Sequence, residues 1–151
     1  MTNTDITGQL EAIASVEDFA TASAALTDTW LSLGAGIEVV EPILRFMEGH
    51  PSIEYGMPGA LVHFVERFYE KGYEESLIRS TNRKPTLSTI WMLNRVINGA
   101  TMPDKRQLLI EILQQAKSHP SAVEPTLQRI TAFLHRLSRR DSGEGRGWVE
   151  H

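Results

Sequence analysis

Apolar residues recur along this chain at the three- and four-residue spacing of amphipathic helices, in segments separated by glycine and proline. No segment shows the alternation of apolar and polar residues that is typical of a half-buried strand. The number of periodic segments predicts about seven to eight helices. We therefore expect an all-α fold.

The most apolar segment is expected to form the central helix. Pro85 disfavours helical geometry before it, Thr86 can cap its N-terminus, and Gly99 suits the residue that ends it. Its apolar side chains cover most of the helical wheel, which indicates a helix enclosed by neighbours. Four residues are assigned to this structural centre: Trp91 as a buried core residue, and Asn94, Arg95 and Asn98 as braces to adjacent helices.

The same periodicity predicts the bounds and inward positions of the other helices. Among them are helices over 37–48, 58–71 and 121–140. Leu33, Leu108 and Val123 are expected on the inward sides of their helices.

A weak repeat suggests how the helices are arranged. Pro51, Pro85 and Pro120 each mark a helix boundary, and they lie 34 and 35 residues apart. Periods of this length are typical of stacked helical hairpins. We therefore predict an irregular, HEAT-like stack of antiparallel helical hairpins, with a compact orthogonal bundle as the alternative.

Length and composition predict one domain and a cytoplasmic location. Residues 1–140 are expected to form a single all-α domain, and 141–151, with three glycines and Trp148, a flexible tail. The chain lacks cysteine, which excludes disulfides and thiolate chemistry. Its first residues do not resemble a secretory signal, and no segment approaches the roughly 18 apolar residues of a membrane span.

Charge is divided unevenly along the chain. Residues 1–70 hold two basic residues, Arg45 and Arg67, against eleven acidic ones, whereas 71–151 hold thirteen basic residues against eight acidic ones. Such a division predicts a charged surface for a partner. The alternative is that the two halves attract each other.

Catalytic and metal-binding patterns are weak. His63, Glu66 and Glu70 share one side of a predicted helix, but no second helix offers a matching His and Glu pair. We interpret these three residues as exposed polar positions, and we expect no metal and no cofactor. No nucleophile elbow and no phosphate-binding loop occurs, so an enzyme is the least favoured class.

Two segments resemble parts of a known class of proteins. Pro58–Glu66, and Arg83–Thr86 running on into Trp91–Asn98, are similar to segments of small all-α immunity proteins from bacterial polymorphic toxin systems. The resemblance extends from Pro58 to about Thr101. It implies a cytoplasmic antidote that binds a cognate toxin domain and blocks its active site.

An acidic surface would suit such a partner. A nuclease toxin must be cationic to hold its substrate, and an acidic inhibitor would attract it. The expected partner-binding residues are Asp28, Glu38, Glu41, Glu48 and Glu54, with Glu38, Glu41 and Glu48 together on the outer side of the third helix. The alternative is a nucleic-acid-associated protein that uses the basic C-terminal half.

Overall fold

The computed structural model describes residues 2–141 and is all-helical over that range, as predicted. It contains one short 3₁₀-helix, Ile37–Val39, and no strand among the described residues. The α-helices are α1 (Asn3–Ile13), α2 (Phe19–Ser32), α3 (Val40–Gly49), α4 (Gly59–Glu66), α5 (Tyr73–Arg83), α6 (Leu87–Gly99), α7 (Pro103–Ala116) and α8 (Thr126–Asp141).

Almost all of the predicted C-terminal tail lies beyond the last helix that the structure describes. Asp141 is the last residue of α8, and the rest of the predicted tail, with Trp148, lies outside the described residues. No helix in the described part of the chain has the length and apolar character needed to cross a membrane.

Side-chain caps fix the starts of several helices. At α6 the prediction is confirmed: the Thr86 hydroxyl accepts from the Thr89 backbone N–H at 3.2 Å, and the Thr89 hydroxyl accepts from that of Thr86 at 3.0 Å. Thr2 and Asp5 form the same reciprocal cap at α1. These bonds satisfy amide groups that have no partner inside the helix.

Two predicted helix bounds are wrong, and the predicted third helix is α-helical over only part of its length. The third helix begins as the 3₁₀ turn and becomes α-helical only at Val40. The fourth ends at Glu66 and continues as turns, and the left-handed backbone of Glu70 (φ 64°) keeps a right-handed helix from reaching Lys71. The last begins at Thr126, and the preceding segment forms a turn.

Each helix contacts the helix two places further along the chain, near corresponding ends. The contacts are Glu11–His50 (α1–α3), Trp30–Phe64 (α2–α4), Glu48–Arg83 (α3–α5), Glu66–Arg95 (α4–α6), Glu74–Lys105 (α5–α7) and Trp91–Phe133 (α6–α8). Helices of one parity therefore run parallel in one row, and the helices of the other parity form a second row. This is the predicted stack of helical hairpins.

The three prolines of the sequence repeat occupy equivalent places in this stack. Pro51, Pro85 and Pro120 lie in the connections α3–α4, α5–α6 and α7–α8, each of which joins an odd-numbered helix to the next even-numbered one. Because the odd-numbered helices are parallel, all three connections lie at the same end of the stack. The repeat thus reflects a recurring connection.

The central position of α6 is confirmed by its contacts with α3, α5, α7 and α8. Ile90, Met92, Leu93 and Ile97 are fully buried. Phe133 of α8 completes this part of the core, although the sequence periodicity does not single it out.

Three side chains expected to face inward are exposed instead. Leu33, Leu108 and Val123 are 64%, 50% and 62% exposed. Leu33 follows the last residue of α2, Val123 precedes α8, and Leu108 lies on α7, in the last hairpin. A helical wheel cannot show where the neighbouring helices end.

Replacing Trp30 with alanine should lower the free energy of unfolding by about 3–5 kcal/mol. The indole is fully buried, packs edge-on against Phe64 at 5.5 Å, and donates from Nε1 to Gln9 Oε1 at 2.7 Å. Urea denaturation measures the effect. The control is Leu33→Ala at the end of the same helix, which should change stability by less than about 0.5 kcal/mol. Equal effects of the two substitutions would contradict the assigned core.

Candidate partner-binding surface

A largely buried ion pair joins α3 to α5. Glu48 is only 8% exposed, and its carboxylate accepts from Arg83 Nε at 2.9 Å and Nη2 at 2.6 Å. Ser80 Oγ donates to the same carboxylate at 2.6 Å. Hydrogen bonding to Glu48 raises the pKa of the Arg83 guanidinium, which stays charged. Glu41 lies 3.2 Å from the same guanidinium.

Two further ion pairs join helices two places apart. Arg95 donates from Nε and Nη2 to both oxygens of Glu66, at 2.6 and 3.0 Å. Lys105 Nζ donates to Glu74 at 2.9 Å, and this bond raises the pKa of the lysine. The pairs of Arg83 and Arg95 link basic residues of the second half to acidic residues of the first. Part of the negative charge of the first half is therefore neutralised by basic residues of the second half within the fold.

These ion pairs show that the prediction of a single acidic surface on α3 is wrong. Glu48 does not lie on the outer side of α3 with Glu38 and Glu41, because its carboxylate faces α5 and is held by Arg83 and Ser80. Glu41 is half-buried, and Arg45 donates to it at 3.1 Å. Neither carboxylate is presented openly to a partner.

Asp28 and Glu38 are both exposed, and they flank the α2–α3 connection in sequence. The Glu38 carboxylate accepts from the Gly36 backbone N–H at 3.0 and 3.1 Å. This bond holds the pKa of Glu38 below its usual value, so the side chain is anionic at neutral pH.

Three exposed apolar side chains lie between these two carboxylates along the chain. Leu31 is 46% exposed, Leu33 64% and Ile37 45%. We call Asp28, Leu31, Leu33, Ile37 and Glu38 the acidic corner. Residues 1–44 contain no lysine or arginine. Exposed apolar groups rimmed by polar ones are characteristic of protein-binding surfaces. The spacing of apolar residues did not indicate this site, because it predicted that Leu33 would be buried.

Glu54 belongs to a different surface. It is exposed in the α3–α4 connection, after the C-terminus of α3, whereas Glu38 precedes its N-terminus. The five acidic residues predicted to bind a partner therefore do not form one site. Only Asp28 and Glu38 flank the same connection, α2–α3.

The residues assigned to the structural centre have different surroundings. Asn94 is buried, Arg95 is held by Glu66, and the exposed Asn98 accepts from Arg140 Nη1 at 3.0 Å. Arg95 and Asn98 thus brace neighbouring helices. Trp91 is only half-buried, contrary to prediction. Its ring contacts Phe133 edge-on at 4.9 Å, and the Arg129 guanidinium lies 4.9 Å above it.

The candidate metal ligands do not converge. Both oxygens of Glu66 accept from Arg95, and His63 Nδ1 lies 3.8 Å from Glu66. Glu70 is exposed in the turn beyond α4. Within residues 2–141 no group of three His, Asp or Glu side chains could hold a metal ion.

Replacing Arg83 with methionine should lower the free energy of unfolding by about 2–3 kcal/mol, because Glu48 would lose its guanidinium partner. The expected loss lies below the roughly 3–5 kcal/mol of a fully buried pair, since 27% of the Arg83 side chain is exposed.

The matched control for this prediction is Arg45→Met. Arg45 is bound to Glu41 but its side chain is 59% exposed, so the change should stay within about 0.5 kcal/mol. Urea denaturation of both variants measures the difference. If the two variants lost equal stability, the Glu48–Arg83 pair would have no special structural role.

Comparison with protein-family models, curated proteins and solved structures gives no match to this chain. Its function is therefore inferred from the surface chemistry described above and from the resemblance of its two central segments.

Proposed function

We propose that this chain is an immunity protein, which binds a cognate bacterial toxin domain through the acidic corner and blocks the toxin's active site. The observation that carries the proposal is the corner itself. There, exposed Leu31, Leu33 and Ile37 lie between two exposed carboxylates along the chain. The resemblance of the central segments to immunity proteins supports the same class.

The chemistry of the corner suits a cationic protein partner. Asp28 and Glu38 would attract basic side chains and steer the encounter, and the three apolar residues would be buried on contact. If the toxin is a nuclease, its substrate site must hold phosphates with cations. The two carboxylates would then occupy positions that substrate phosphates take.

Nucleic-acid binding is the alternative function, but several of the basic residues that it would use are paired with carboxylates within the fold. Arg83, Arg95, Lys105 and Arg106 are engaged by carboxylates within the described part of the chain. Exposed basic residues remain along α8, among them Arg136. A nucleic-acid binder would associate with DNA or RNA with steep salt dependence, whereas the proposed antidote would not.

The proposal is tested with the product of the gene immediately upstream. A secreted protein with a C-terminal toxin domain is expected there, and co-expression with this chain should restore growth of cells that produce the toxin domain. The purified pair should form a complex in calorimetry. A toxin domain whose toxicity and binding were unaffected by this chain would contradict the proposal.

The double substitution Asp28→Lys/Glu38→Lys should lower the affinity for the toxin domain about 10- to 100-fold, with the larger part of the effect at low salt. Both side chains are exposed, so the free energy of unfolding should change little.

The control for this charge reversal is Glu17→Lys/Glu111→Lys, which makes the same change in net charge at exposed positions away from the corner. It should alter the affinity less than about threefold, because screening limits the effect of distant charges. Equal losses in the two double variants would show that the overall charge, and not the corner, governs binding.

A further inference from the structure

Two neighbouring clefts lie at the end of the stack that carries the proline-containing connections. The first, of about 350 Å³, is bordered by the α3–α4 connection and by Trp91. The second, of about 290 Å³, is bordered by Pro125, Arg129 and Ala132. Leu87, the first residue of α6, lines both clefts and separates them. We call the pair the connection groove.

The walls of the connection groove combine apolar side chains, such as Ile53, Met57 and Leu87, with polar ones, and two of its aromatic residues are held in place. Tyr55 is buried, donates its hydroxyl proton to the His50 carbonyl at 2.7 Å, and packs edge-on against Phe19 at 5.5 Å. Trp91 packs edge-on against Phe133, and Arg129 lies over both rings. An enclosed cavity of about 150 Å³ accommodates a benzene molecule. Each cleft therefore has room for one apolar side chain.

Opposite charges mark the two halves of the groove. Glu54 borders the first cleft and is exposed. Arg129 borders the second cleft. A ligand that lies across Leu87 therefore meets an anion in the first cleft and a cation in the second. Such an arrangement selects a segment whose own charges are opposite in sign at its two ends.

We propose that the connection groove binds an extended peptide segment of a partner protein. Its two apolar side chains, two residues apart, would enter the clefts on either side of Leu87. Alternate side chains of an extended chain lie about 7 Å apart on one side, which suits two clefts separated by a single side chain. A basic residue would flank the side chain beside Glu54, and an acidic residue the one beside Arg129.

This site goes beyond the toxin-binding proposal and does not depend on it. The acidic corner lies at the α2–α3 connection, which joins an even-numbered helix to an odd-numbered one, and the groove lies at the opposite end of the stack. Either surface could be occupied while the other is free. Failure of one proposal would leave the other unaffected.

The probes are two blocked pentapeptides, Lys-Leu-Thr-Leu-Asp and its reverse Asp-Leu-Thr-Leu-Lys, titrated into the ¹⁵N-labelled full chain. At least one should cause saturable NMR shifts at Leu87, Ser88 and the Trp91 indole, with a dissociation constant of about 1 mM or lower. Lys-Ser-Thr-Ser-Asp, which lacks the apolar side chains, should cause none. The absence of shifts at these residues with both leucine peptides would overturn the proposal.

Charge reversal at one end of the groove provides the decisive variant. Glu54→Lys should weaken binding of the leucine peptide about tenfold, whereas Glu111→Lys, also at an exposed acidic position, should leave it unchanged. Replacing the peptide's lysine with glutamate should restore binding to Glu54→Lys. Unchanged affinity in Glu54→Lys, or equal binding of the serine peptide, would show that the groove does not select the proposed segment.

Discussion

The buried ion pair between Glu48 and Arg83 fixes the register of the stack. A carboxylate with so little exposure is tolerated only when its charge is paired and hydrogen-bonded, and here a guanidinium and the Ser80 hydroxyl satisfy it. The two residues lie near the C-terminal ends of α3 and α5, so the pair aligns these helices side by side. The ion pairs Glu66–Arg95 and Glu74–Lys105 link α4 to α6 and α5 to α7 in the same way.

This internal pairing decides which charges remain for a partner. The basic residues of α5 and α6 that could have formed a phosphate-binding face are largely engaged with carboxylates of α3 and α4. The acidic corner carries two exposed carboxylates, Asp28 and Glu38, in a segment, residues 1–44, that contains no lysine or arginine. In the proposed function, the fold pairs much of its basic charge internally and offers an anionic, partly apolar corner to a cationic partner.

Local signals in the sequence predict the helices and their order well. The hydroxyl at Thr86 and the proline before it determine where α6 begins, and the spacing of three prolines reflects the repeated connections. The position of Glu48 could not be predicted, because its partner lies 35 residues away and only the stacking of α3 on α5 brings the two together. The exposure of Trp91 and Leu33 likewise depends on where neighbouring helices end.

The most direct test of the account is a methyl NMR titration of the labelled chain with the cognate toxin domain. If the toxin binds the acidic corner, the methyl signals of Leu31, Leu33 and Ile37 should shift and saturate at one molar equivalent, because these groups become buried at the interface. If those signals stay unchanged in the complex while methyl groups elsewhere shift, such as those of the exposed Leu108 on α7, the corner is not the binding surface.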